Sequence, residues 1–339
     1  MKLQQLRVML AVAEHGSIHE ASRTLHISQP ALSKSIADLE RELGVTLLAR
    51  SARGVSLTAY GRAILKRARV VEQELRYAVE DIESIRGHAE AELNIGFTPV
   101  AANARLTEAM SAFRQRFPHV TLRAFEMRPQ QIQEGLREGR LDLGLVSTNS
   151  APCTTALQWE HMFSVGMKLA VRAGHPLRHV RHIHALLDAD WLVLDPVDDV
   201  NSPLPTLMRM HRLAMPPRIV HVASNLLGLQ LAAGSNLVSV WSELAFPGTG
   251  GPLQLAGDAL VPLPIEDELP AFHVHLVYRS ADLMTNVCAE FAREVRRCTT
   301  GVDTAAPPPV TPAWFQSPQA PVSAARAANT PTLAGSYMV

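Results

Sequence analysis

A compact helical module closed by a small β-hairpin, one long helix, and a large α/β region are the three parts that this chain of 339 residues predicts. Three observations carry the prediction. Residues 17–42, SIHEASRTLHISQPALSKSIADLERE, read as two short amphipathic helices joined by a tight turn. Apolar residues then recur from Ile64 to Ile85 in steps of 4, 3, 4, 3, 4 and 3, the period of a helix that packs along a partner helix. Beyond residue 90, short strand patterns alternate with helical ones, which implies a sheet covered by helices. With 47% apolar and 19% charged residues, the chain has material for several buried cores.

In the helical module, Leu3, Leu6, Val8, Met9, Leu10, Val12 and Ala13 give a scaffold helix that stops at His15-Gly16. Ser17 with Glu20 is read as a capping box for the second helix, which buries Ala21 and Leu25. Ser28 caps the third, with Pro30 in the first turn, where a missing N–H does no harm. Leu32, Ile36, Leu39 and Leu43 anchor that helix, and Gln29, Ser33, Lys34 and Asp38 form its polar face. Short hydroxyl, amide and cationic side chains around a helix start are what a major-groove reader needs, because free N–H groups and the helix dipole favour phosphate there. Gly44 ends the reading helix, and Leu47 to Leu57 reads as a hairpin with Arg50 and Arg53 near its tip, a wing able to reach phosphate or a minor groove. The formal charge of the whole chain is zero, which excludes a generally basic nucleic-acid coat, yet residues 1–69 hold eleven Lys/Arg against five Asp/Glu.

Thr58 caps the long helix, whose seam is Ile64, Ala68, Val71, Leu75, Ala78, Ile82 and Ile85. A homodimer is expected from it. Arg62, Lys66, Arg67 and Arg69 near its start and Glu80, Asp81 and Glu83 near its end favour antiparallel pairing.

The DNA-reading module resembles the LysR-type transcriptional regulators. The residues that carry the likeness are Gly16-Ser17, Ala21-Ser22, Leu25, Ser28 to Ser33, Leu39-Glu40, Leu43-Gly44, Arg50 and Leu57-Thr58. Met9, Ser22 and Leu48 depart from that pattern as packing exchanges. The resemblance implies DNA contacts at Ser28, Gln29, Pro30, Ser33, Lys34, Arg50 and Arg53. It also implies an α/β sensor of two periplasmic-binding-protein-like lobes behind the winged helix-turn-helix domain and the linker helix. The implied division is 1–58 for DNA binding, 59–87 for the linker, 91–298 for the sensor and 299–339 for a disordered Pro/Ala-rich tail. Within the sensor, lobe 1 takes about 91–163 and 268–298, and lobe 2 about 164–267.

Within the sensor, Leu93 to Phe97, Val120 to Phe125 and Asp142 to Val146 are strands, with helices from Thr98-Pro99 to Phe117 and from Gln130 to Glu138. A second unit starts at Met167 to Val171, and the chain returns at Phe272 to Tyr278 before a last helix, Met284 to Arg296. Ligands of parallel sheets sit at strand C-termini against helix starts. Thr98, Pro99, Val100, Met127, Ser147, Thr148, Asn201, Ser202 and Ser224 are therefore the expected effector contacts. By likeness the effector is a small organic molecule, expected to be an anion.

His175, His179, His182 and His184 suggest a metal site but lack companion ligands, and His273 with His275 read as a pair on one sheet face. No metal or cofactor is expected. Cys153, Cys288 and Cys298 fit neither a disulfide framework nor a redox pair. The start of the chain has no secretory pattern, and polar residues interrupt the uncharged run Val222 to Ser242, so a cytoplasmic protein without membrane association is expected. No G-x-S-x-G, H-E-x-x-H or Walker A pattern supports an enzyme. The expected function is a regulator that binds double-stranded DNA at an inverted-repeat operator and answers to an effector. Homodimers, paired into homotetramers by likeness, and RNA polymerase complete the partners. The rival readings are a ligand-independent DNA-binding protein and an α/β enzyme with a DNA-binding appendage.

Overall fold

The computed structural model describes residues 1–51, 54–85, 91–149, 156–195, 199, 202–246 and 259–299. Three helices open it: α1 (Leu3–His15), α2 (Ile18–Thr24) and α3 (Gln29–Leu43). Gly16 ends α1 at φ 62°, a left-handed geometry that a side chain would strain. Ser17 Oγ accepts the Glu20 N–H at 3.4 Å, while the Glu20 carboxylate lies 3.6 Å from Arg23, so only the serine half of the expected capping box is in place. Val8, Met9, Val12, Ala21, Leu32, Ile36 and Leu39 share one core. Leu43 is a correction: it is exposed, because the α3 stripe drifts off the core at its last turn.

The wing is β1 (Leu48–Ser51) paired antiparallel with β2 (Gly54–Leu57). Glu40 of α3 holds it in place, its Oε1 accepting the N–H groups of Leu47 and Leu48 at 2.7 and 3.2 Å. Thr58 Oγ1 accepts the Gly61 N–H at 3.0 Å and starts α4 (Ala59–Ile85). The seam of α4 does not face one way throughout. Ile64 packs into the winged-helix core and Ala68 is fully buried within the chain, whereas Val71, Leu75, Ala78 and Ile82 are exposed. The interruption arises because the first turns of α4 must also cover α1, so only the later part of the seam is open to a partner. The side chain of Ile85 lies outside the described residues.

The sensor is one continuous sheet rather than two parallel ones. Its strands are β3 (Glu92–Phe97), β4 (Thr121–Glu126), β5 (Leu143–Thr148), β6 (Gln158–Arg172), β7 (Asp190–Val193), β8 (Ile219–His221), β9 (Leu237–Ser242), β10 (Leu260–Pro262) and β11 (Ala271–Tyr278). They run in the order β4-β3-β5-β11-β6-β9-β7-β8, with β10 on β6. The parallel groups β4-β3-β5 and β9-β7-β8 are the two lobes, and the antiparallel strands β6 and β11 join them. Helices α5 (Ala104–Arg116) and α9 (Asn286–Thr299) cover one face of lobe 1, with Phe113 and Phe291 edge to face at 5.3 Å. Helix α6 (Pro129–Arg137) covers the other. Lobe 2 is completed by α7 (Pro203–Met210) and α8 (Asn225–Gly234) around Trp191 and Trp241. The helix expected from Thr98-Pro99 is a short 3-10 turn, Pro99–Ala101; α5 starts later, where Asn103 Oδ1 caps the Arg105 N–H at 3.0 Å.

Helix α4 is fastened to lobe 1. Asp142, at the start of β5, accepts hydrogen bonds from Tyr77 Oη, from Gln73 Nε2 at 2.9 Å, from Arg76 Nη2 at 3.3 Å and from the Asn94 N–H at 2.6 Å. Lys66 and Arg69 pair with Glu138 at 3.6 and 3.1 Å, and Arg76 with Glu80 at 3.4 Å. These charges, expected to meet a partner helix, are engaged within the chain.

Candidate functional site: the reading helix and the interlobe cleft

The exposed face of α3 is built by its own core. Leu32, Ile36 and Leu39 fix one side against α1 and the wing, and the opposite side presents Ser28, Gln29, Pro30 and Lys34, all exposed, with Ser33 half-buried. Ser28 Oγ accepts the Ala31 N–H at 3.4 Å. Gln29 Nε2 donates to His19 Nδ1 at 2.5 Å, which steadies the amide at the helix start. The α2–α3 turn places His26 at φ 53°, in the left-handed region. In the wing, the Arg50 backbone pairs with Val55; the Arg50 side chain and Arg53 lie outside the described residues.

Between the lobes lies a cavity of about 1150 Å³. Thr98, Pro99, Val100, Met127, Ser147, Thr148, Ser202 and Ser224 all line it; Asn201 lies outside the described residues. Several of these polar groups are already engaged. Thr98 Oγ1 accepts the Ser147 N–H at 2.9 Å and locks the end of β3 to β5, and Ser224 Oγ accepts the Leu227 N–H at 3.4 Å. The lobes meet through Asn225 Nδ2 donating to Glu126 Oε1 at 2.8 Å, Gln130 Nε2 to Asp199 Oδ2 at 3.4 Å, and Asn149 Nδ2 to Thr206 Oγ1 at 2.5 Å.

Sequence reasoning missed the charged lining: Glu126, Arg128, Asp195 and Asp199. Burial, then the neighbouring Asp199, pushes the Asp195 carboxyl above the ordinary carboxylate range, and Arg128 and His221 partly offset this. Asp195 stands two residues beyond the end of strand β7, the position where α/β sheets place ligand contacts, so this signal was present in the sequence. Among the described lining residues, the charged side chains are the carboxylates of Glu126, Asp195 and Asp199 and the guanidinium of Arg128.

The four clustered histidines do not converge. His175 Nδ1 accepts the Leu177 N–H at 3.0 Å, His179 is bonded by Arg178 at 2.9 Å, and His182 lies 3.5 Å from Asp267. His273 and His275 instead join His161 of β6, with ring centroids 5.8 and 5.4 Å from it, and Ser164 Oγ lies 2.7 Å from His273. Burial lowers all three pKa values, His275 to about 4, so these rings are neutral near pH 7. Among the described residues no cluster of His, Cys, Asp or Glu is arranged to hold a metal, and no helix is long and apolar enough to cross a membrane.

Residues 86–298 match the family model described as the LysR substrate binding domain, and residues 3–62 match the bacterial regulatory helix-turn-helix protein of the lysR family. The chain is 34% identical over 206 residues to the HTH-type transcriptional regulator PcaQ of Agrobacterium fabrum, covering 58% of this chain and 66% of that one. It is 32% identical over 252 residues to the HTH-type transcriptional regulator TfdS of Cupriavidus pinatubonensis, covering 72% and 84%. Its fold is similar to that of full-length CbnR complexed with its target DNA, with a TM-score of 0.60 at 22% identity over 88% of this chain and all of the other.

Proposed function

The chain belongs to the LysR family of DNA-binding transcriptional regulators, and from that premise we propose that α3 reads an inverted-repeat operator while the interlobe cleft receives a small-molecule effector. The observation that carries the reading is the two-sided build of α3: a buried Leu32, Ile36 and Leu39 spine behind an exposed Ser28, Gln29, Pro30 and Lys34 face. In this reading Gln29 and Ser33 meet base edges, Ser28 and Lys34 meet phosphate, Pro30 packs against the backbone, and Arg50 and Arg53 of the wing reach the flanking groove. The solved complex of CbnR with its target DNA supports the docking mode.

The exposed Val71, Leu75, Ala78 and Ile82 on α4 support a homodimer. Exposed Phe125 on the edge strand β4, with Val220 on the opposite edge strand β8 and Leu226 and Leu227 on α8, supports a second contact through which dimers form tetramers. A cytoplasmic location and contact with RNA polymerase beside the operator belong to the same reading, and no enzymatic step does. The effector acts only to the extent that it binds one arrangement of the oligomer better than another.

Selection of genomic fragments by the purified protein, at two salt concentrations and with Gln29→Ala in parallel, tests the reading. A two-fold symmetric site enriched by wild type and lost by the variant is the expected result. Salt-sensitive binding without sequence preference, equal in both proteins, rejects it.

A further inference from the structure

We infer that His19 is a positioning residue that sets DNA specificity: it fixes which groups of the Gln29 amide meet the bases, so that adenine is selected. The inference rests on α3 being the reading helix and on Gln29 meeting a base edge. His19 is the second residue of α2, and Gln29 is the first residue of α3. Buried Ser22 donates its hydroxyl to the His19 carbonyl oxygen at 2.7 Å, and Ala21 beside it packs in the module's core, so the histidine stands on a fixed backbone. Both side chains are exposed, yet Gln29 Nε2 lies 2.5 Å from His19 Nδ1.

Donor chemistry gives that contact a direction. An amide nitrogen only donates, so Nδ1 accepts and the ring proton stands on Nε2. The Nε2 side faces the Glu20 carboxylate at 4.0 Å, itself 3.6 Å from Arg23, and a carboxylate there favours that tautomer. With one Nε2 hydrogen committed to His19, the amide keeps Oε1 and a second N–H, one acceptor beside one donor. Adenine presents the complement in the major groove, N6–H and N7, whereas guanine presents two acceptors, O6 and N7. Without His19 the soft terminal torsion lets the amide turn over and offer both N–H groups to guanine. An exposed hydrogen bond adds little to fold stability, because water replaces it. Its consequence falls on the docked complex, where water is excluded and an unpartnered amide group is costly.

The test compares full-length wild type, His19→Ala, His19→Asn, Gln29→Ala and the double variant His19→Ala with Gln29→Ala. Sites are selected from randomised duplexes, then competed against the same sites with each base pair exchanged, and unfolding midpoints are recorded alongside. Asn is the conservative replacement, because its Oδ1 is attached to Cγ as Nδ1 is, and accepts. Loss of preference in Gln29→Ala identifies the base pair that Gln29 reads. There wild type is expected to favour adenine over guanine by about tenfold or more. His19→Ala should cut that ratio by about threefold or more and His19→Asn should restore it, with unfolding midpoints unchanged; removing His19 should have no further effect once Gln29 is gone. An unchanged ratio in His19→Ala, a loss of affinity equal for all sites, a loss that Asn does not restore, a preference for guanine, or a His19→Ala effect that persists without Gln29 each overturns the inference and leaves α3 as the reader. No loss of preference at any base pair in Gln29→Ala overturns the inference and the reading of Gln29 together.

Discussion

At the scale of single residues, the DNA-reading module was legible because its signals are local. Ser17, Ser28, Pro30 and Gly16 act within one turn of where they stand, so their chemistry fixes the helix ends without knowledge of the fold. His26 was not legible in that way. Its φ of 53° follows from the angle at which α3 must leave α2, and nothing adjacent to it marks a left-handed position. His26→Gly should relieve that conformation and stabilise the fold by about 0.5–1 kcal/mol, after the entropic cost of glycine; urea denaturation reads the change, and an unchanged or lower midpoint contradicts it. Asp142 is the opposite case. It accepts from four donors, three of them on side chains of α4 that the sequence alone does not bring near it. Asp142→Asn turns one acceptor into a donor that faces other donors, with an expected loss of about 3 kcal/mol in the same measurement.

At the scale of elements, α4 shows why a regular heptad is an incomplete guide. Its spacing states which residues share a side of the helix, but not which of them the chain itself covers. Ala68 is covered within the chain, and Leu75 and Ile82 are not, at 38% and 51% exposure. Leu75→Glu with Ile82→Glu should therefore convert the oligomer to smaller species in analytical ultracentrifugation without lowering the unfolding midpoint of the monomer. The antiparallel strands β6 and β11 were hidden for a related reason. The alternation of side chains along a strand reads the same in either direction, so the pattern that located these strands could not orient them. In the cleft, the polar helix starts were legible as caps, while Glu126 and Arg128 sit in a surface sequence with no mark of their later meeting with lobe 2.

At the scale of the whole molecule, pH acts through two buried groups with opposite signs. Burial raises Glu80 from 4.5 to about 7, with Arg76 opposing, so the folded state holds a proton that the unfolded state releases, and this group's contribution declines as pH rises from about 4.5 to 7. His275, lowered from 6.5 to about 4, contributes stability above pH 6.5 that is lost as pH falls towards 4. Glu80→Gln should remove the first effect alone. Its unfolding midpoint is expected to gain on wild type progressively from pH 5 to pH 8, and a constant difference across that range would contradict the assignment. The joined sheet has a consequence of another kind. Gly166 of β6 stands directly opposite Ala271 of β11, so all of lobe 2 leaves and returns at one paired position of lobe 1. In topological terms it is an inserted cassette spliced into the ends of a hairpin. Excising residues 167–270 and closing the gap with an Asn-Gly turn should leave a shorter chain in which β6 and β11 pair as a simple ribbon, and lobe 1 would stand as a miniature sensor frame ready to accept another insert.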